Sequence, residues 1–207
     1  GEDGGGLYHS QINEQWFFSQ PGLIVVMPST PYDAKGLLKS AIRGEDPVIY
    51  FEHKRLYRSI KEEIPEDDFT VPIGKAAIRR DGKDITIVAY GLMCHKSMEA
   101  ANILEKEGVS VELIDMRSLL PWDREMIFES VKKTSRAVLV QENTKTGGVM
   151  AEVSASITEK IFDYLDAPVT RVCGLDVPML PFAPPLEHYF LPNAEKIVRA
   201  VRKVLEY

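Results

Sequence analysis

His9 is the residue whose type and setting could most directly do chemistry. It lies in Gly4-Gly5-Gly6-Leu7-Tyr8-His9-Ser10-Gln11, a glycine-rich loop with a hydroxyl and an amide just after the imidazole. An imidazole titrates near neutrality, so on a loop carried by a rigid scaffold it can both give and take a proton. A plain surface histidine near a terminus explains the same spacing, and both readings stay open. Glu142 stands just beyond an apolar run at 137–141 and is a candidate catalytic carboxylate, although the sequence sets no second carboxylate beside it. Asp115 and Arg117 fall at the carboxyl end of another such run, where open α/β sheets bind ligands. A mutual tie that shapes the loop is the simpler account of them.

Gly147-Gly148 follows the run 137–141 and opens a helical pattern, the position of a phosphate-binding turn. Neither the dinucleotide nor the P-loop glycine pattern is present, and close helix–strand packing needs glycine equally. Cys94-His95 are adjacent and cannot by themselves form a tetrahedral metal site. His53 and His188 have no partner pattern, so metal catalysis by side chains is not expected. Pro178, Pro181, Pro184 and Pro185 stiffen a loop around Leu180 and Phe182, read as an interface or packing loop.

The elements that must position these groups are legible from periodicity. Short β-branched runs at 22–28 and 47–52 flank a helical pattern over 33–42, giving one strand–helix–strand unit. A short amphipathic stretch, 12–18, precedes it. Over 58–73 the pattern dissolves into charged and proline-containing chain, which reads as an extended, solvated linker. Beyond it, strands at 84–90, 109–115, 137–141 and 169–173 alternate with helices at 95–107, 123–133, 148–165 and 193–206. That alternation predicts an α/β fold, a doubly wound and mostly parallel sheet covered on both faces. It is preceded by the last part of a second α/β domain. Asp123 and Asn193 suit N-caps, and Gly108 suits a helix end.

Composition narrows the function classes. The 207 residues are 44% hydrophobic, enough for a core, and 25 Lys+Arg against 31 Asp+Glu leave a formal charge of −6. A mildly acidic chain lacks the concentrated basic face that nucleic acid or an anionic membrane requires. No apolar run approaches the ~20 residues of a membrane span. Two cysteines outside any CxxC pair read as reduced, cytosolic thiols. Nicotinamide chemistry is disfavoured because no glycine fingerprint follows any strand.

A series of segments then carries a resemblance. These are His9-Ser10-Gln11, Pro21-Gly22-Leu23, the run from Pro28 through Tyr32-Asp33-Ala34-Lys35-Gly36 to Leu38, and Asp46-Pro47-Val48. Phe51-Glu52-His53-Lys54-Arg55-Leu56-Tyr57-Arg58, the run from Arg117 through Leu120-Pro121-Trp122 to Asp123, and the tail 168–192 continue it. Together they closely resemble the beta subunit of thiamine-diphosphate-dependent 2-oxo acid dehydrogenases, over nearly the whole chain. His-Ser-Gln resembles the branched-chain type more than the pyruvate type. The resemblance implies that 1–57 is the end of a pyrimidine-binding domain, 58–73 a linker and 74–207 a transketolase C-terminal-like domain. It implies that the glutamate which protonates the cofactor's aminopyrimidine lies upstream of Gly1, so no cofactor-binding residue can be assigned here. It implies that His9 supplies a proton during transfer to a lipoyl sulfur. A monovalent cation, potassium, would be held largely by backbone carbonyls at Ala41, Ile42, Gly44 and Asp46, with Gly44 in place of the more usual Asp. Thiamine diphosphate with magnesium would be shared with an alpha subunit. The other implied partners are a second beta subunit, a lipoyl acyltransferase component and a 2-oxo acid, in a cytoplasmic heterotetramer whose beta chain alone is inactive. Pyruvate as substrate, or a fragment that docks subunits without chemistry, is the alternative.

Overall fold

The computed structural model describes residue 2 and residues 4–207. In chain order the strands are β1 (Ile24–Val26), β2 (Val48–Tyr50), β3 (Ala77–Arg80), β4 (Ile85–Ala89), β5 (Val111–Asp115), β6 (Ser118–Leu120), β7 (Ala137–Thr144) and β8 (Thr170–Gly174). The helices are α1 (Gly6–His9), α2 (Glu14–Phe18), α3 (Pro31–Arg43), α4 (Leu56–Ser59), α5 (Leu92–Glu105), α6 (Arg124–Thr134), α7 (Val149–Ile161), α8 (Pro184–Phe190) and α9 (Ala194–Leu205). Among the described residues no helix is long and apolar enough to cross a membrane.

The larger sheet has the order β3-β5-β4-β7-β8, with every pair parallel except the antiparallel edge pair β3–β5. Although β4 is buried throughout, its side chains still divide by face. Ile85, Ile87 and Ala89 pack with α5 and α9, while Val88 and Tyr90 pack with α6 and α7. Thr86, on the α6 side, meets the hydroxyls of Ser130 and Thr134 at 2.7 and 2.8 Å, so its buried oxygen is satisfied. This is the three-layer α/β arrangement that strand–helix alternation dictates. Caps fix where the helices begin: Asp123 accepts from the Met126 N–H at 3.2 Å and Asn193 from Lys196 at 3.0 Å.

The smaller sheet has the order β2-β1-β6, β1 parallel to β2 and antiparallel to β6. α3 makes the crossover between β1 and β2, with Thr30 as its cap and Pro31 in the first turn. Val25 and Met27 join the core formed by α6, α7 and the inner face of the larger sheet. The two sheets therefore share one apolar interior.

The segment 58–73 is mostly exposed and irregular beyond α4, in keeping with its composition, but it is not detached from the fold. Its first residues finish α4, and the remainder is strapped along α3. Tyr32 stacks on Phe69 with centroids 4.4 Å apart, and Arg43 and Lys39 grip Asp68. Ser40 donates to the Val71 carbonyl at 2.6 Å, and Val71 itself is buried beside Gly36. Charge and proline described the strap's outer side, while Phe69 and Val71 supplied its inner one.

Candidate active site

His9 is the exposed last residue of α1, a single turn closed by the Ser10 N–H donating to the Gly6 carbonyl at 3.1 Å. Gly6 has φ +53°, and a Cβ there would run into the ring of Phe182. The turn is thus seated against the proline-rich loop, which functions as a packing loop at this point. The Ser10 hydroxyl accepts from the Gly5 N–H at 2.9 Å, and the Gly4 N–H donates to Glu187 of α8 at 3.0 Å. Next to the turn is a cleft of about 170 Å³, lined by Ser10, Gln11, Gln15 and Trp16 on one side and by Glu142, Asn143 and Thr144 on another, with Pro178, Leu180 and Phe190 closing it. The side-chain oxygen of Gln15 is buried there with no protein donor.

Glu142 has the partners that the sequence did not reveal. His53 Nε2 lies 2.8 Å from Glu142 Oε2, and both side chains are buried. The Arg55 N–H donates to His53 Nδ1 at 3.2 Å, which fixes the tautomer with its proton on Nε2, facing the carboxylate. Burial alone would raise Glu142, but the His53 hydrogen bond holds its pKa below the usual carboxylate value. A second carboxylate also stands close by. Glu14, fully buried at the start of α2, accepts from the Tyr90 hydroxyl at 2.7 Å and from the Asn143 amide at 3.3 Å. Burial, reinforced by the negative charge of Glu142, raises the pKa of Glu14. The two acids are thus driven in opposite directions, the condition under which neighbouring carboxyls take different protonation states.

The remaining sequence candidates fall elsewhere. Asp115 and Arg117 belong to a structural cluster with Asp33 and Arg79. Arg79 donates to Asp115 and to Asp33, and Arg117 donates to Asp33 at 2.9 Å and to the carbonyls of Lys75 and Ala76. Ser29 and the Arg117 N–H complete the set on Asp115. This is the loop tie rather than a ligand site. At Gly148 a Cβ would collide with the Gln141 amide, whose oxygen accepts from the Met150 N–H at 2.8 Å, so this glycine serves helix packing. Cys94 is buried, with its thiol pKa pushed well up, and His95 bonds the Ser29 carbonyl at 2.7 Å. His188 meets Asn193. Ala41 and Ile42 lie in the last turn of α3, Gly44 caps it by donating its N–H to the Ser40 carbonyl at 3.0 Å, and Asp46 precedes β2.

Two transketolase-type units account for this arrangement. The transketolase C-terminal domain model matches residues 74–197, and the transketolase pyrimidine-binding domain model matches residues 1–60. The chain belongs to the transketolase C-terminal domain family. It is 52% identical over 203 residues to the 2-oxoisovalerate dehydrogenase subunit beta of Bacillus subtilis, covering 98% of this chain and 62% of that protein. It is 48% identical to the mitochondrial 2-oxoisovalerate dehydrogenase subunit beta of Dictyostelium discoideum, covering 98% and 54%. Identity to the pyruvate dehydrogenase subunit beta of Bacillus subtilis is 46%, covering 99% and 63%. The chain thus spans less than two thirds of the length of these relatives. Among solved structures, a split-gene transketolase described as an inactive beta4 tetramer superposes with a TM-score of 0.75 at 31% identity, covering 93% of this chain and 60% of its own. A transketolase from Pichia stipitis, at 15% identity and a TM-score of 0.59, shares the fold.

Proposed function

We propose that the chain is part of the beta subunit of a 2-oxo acid dehydrogenase first component, which decarboxylates a branched-chain 2-oxo acid with thiamine diphosphate and reductively acylates a lipoyl group. One comparison carries the reading: within one organism, identity is 52% to the 2-oxoisovalerate enzyme's beta subunit and 46% to the pyruvate enzyme's. The reading places the protein in a cytoplasmic heterotetramer with an alpha subunit, a second beta subunit and a lipoyl acyltransferase component.

The geometry of the chain fits one wall of a composite pocket. A cleft of about 170 Å³ falls short of the roughly 300–1,000 Å³ of self-sufficient ligand sites. The described residues include no group of three His, Cys, Asp or Glu side chains that could hold a metal ion. The reading assigns the magnesium–diphosphate end of the cofactor to the alpha subunit. What this chain offers is His9, exposed at the end of a braced turn. When the lipoyl disulfide opens, one sulfur takes the acyl group and the other takes a proton, which on this reading comes from His9. The last turn of α3, with carbonyls that no following turn can bond, suits potassium at Ala41, Ile42, Gly44 and Asp46.

The test is reconstitution of the subunit carrying this chain with alpha subunit, thiamine diphosphate, magnesium and a lipoyl domain. His9→Ala should slow lipoyl acylation by about 10²–10⁴-fold, with decarboxylation to an artificial electron acceptor retained. Wild-type acylation by that variant would remove His9 from the chemistry, and a preference for pyruvate over branched 2-oxo acids would overturn the substrate class.

A further inference from the structure

The loop that carries His9 bonds chiefly to itself. The Ser10 hydroxyl and N–H both pair within 5–10, and residues 10–13 adopt no helix or strand. Such a segment is held in place by what lies before and behind it. Before it, Gly4 is tied to Glu187. Behind it comes Glu14, five residues after His9 and fully buried.

We propose that Glu14 is a positioning residue for His9, fastening the His9 loop to the ends of β4 and β7 through Tyr90 and Asn143. The attachment is specific in both directions. The Thr144 N–H donates to Asn143 Oδ1 at 2.7 Å, which turns the amide so that Nδ2 faces Glu14 Oε2. Tyr90 is fully enclosed and directs its hydroxyl at the other oxygen, Oε1. Asn143 sits on β7 and Tyr90 directly follows β4, so the anchor ties the His9 loop to the larger sheet. The polar groups facing Glu14 are Tyr90 and Asn143, with Glu142 and its His53 partner behind them. Burial favours the protonated acid, a neutral group that a glutamine can imitate.

The inference rests on the proton-donor reading of His9, and its test separates the two. Hydrogen exchange over residues 6–13 and lipoyl acylation are measured in the reconstituted enzyme for Glu14→Met, Glu14→Gln and Tyr90→Phe. Glu14→Met should speed exchange in that loop about tenfold and slow acylation about ten- to hundredfold. Glu14→Gln keeps the shape, accepts from Asn143 through its oxygen and can donate its amide to the Tyr90 hydroxyl oxygen, so it should stay within about threefold of wild type on both measures. If Glu14→Met does not fold, Tyr90→Phe removes a single hydroxyl with no change in volume and should show the same loop loosening at smaller amplitude. Unchanged exchange at 6–13 in the Met and Phe variants overturns the anchor. Faster exchange with wild-type acylation overturns the positioning role. If His9→Ala acylates normally, the reading of His9 falls while the exchange data still decide whether Glu14 holds the loop.

Discussion

Replacing Arg79 by leucine should be among the most damaging single changes outside the core. Asp33 and Asp115 are both fully buried, and Arg79 bridges them from β3. The two carboxylates together hold the guanidinium pKa above its ordinary value, against the opposing effect of burial. Leucine preserves volume but leaves Asp115 with only hydroxyl, thiol and backbone donors and no cation, and Asp33 with Arg117 alone among cations. Removing one partner from a buried ion pair costs about 3–5 kcal/mol, because the surviving charge stays out of water. At about 2–4 °C per kcal/mol for a protein of this size, the melting temperature should fall by about 6–20 °C. A calorimetric or circular-dichroism melt reads this directly. The loss should change little between low and high salt, since buried pairs are weakly screened. Arg43→Ala is the matched control. Its partner Asp68 is 63% exposed, and a surface pair of that kind contributes little to stability. Adding Asp115→Asn to the Arg79→Leu variant should recover part of the loss. A cost for Arg79→Leu no larger than that of Arg43→Ala would refute the reading of this cluster as a buried structural tie.

Three further outcomes are expected. Glu14 has a raised pKa in the folded protein, so its stabilising contribution is complete below the unfolded carboxyl value and is lost as pH rises through the folded one. Urea titrations across pH 4–8 should therefore find Glu14→Gln progressively more stable relative to wild type toward alkaline pH, and a constant difference would contradict a buried, protonated acid. Gly148→Ala should cost about 1–3 kcal/mol, because its methyl displaces the Gln141 amide that caps α7; an unchanged urea midpoint would show that the amide yields freely. Potassium should raise the melting temperature more than sodium or choline at equal ionic strength, and the difference should vanish when Gly44→Pro distorts the α3 terminus. Equal shifts with all three ions would remove the cation site.

Much of the fold was legible because the central strands are continuous β-branched runs with capped helices between them. β3 and β6 were not, for local reasons. Ala77–Arg80 ends in two arginines, and Ser118–Leu120 is three residues long and runs into Pro121. Each is a strand only because a neighbour accepts it. Of the candidate site, His9 stood out locally as an imidazole in a glycine loop followed by Ser and Gln, a setting that a plain surface histidine explains equally. The Glu142–His53 pair spans 89 residues and the Asn143–Glu14 pair 129, separations across which no periodicity operates. The available hint was polarity out of place. Gln141, Glu142 and Asn143 continue an apolar strand without a break, and Glu14 lies between Ile12 and the aromatic run Trp16-Phe17-Phe18. Polar residues in such settings are buried with partners or not at all.

β6 lies after the strap in sequence yet closes the sheet that begins before it. The first piece's sheet cannot be completed without a strand held by the second, and the covalent connection through 60–76 keeps the two at high effective concentration. A protease cut within the strap should therefore yield a nicked particle that migrates as one species. The same interlocking makes this connection the natural place to divide the polypeptide into two separately translated, reassembling halves.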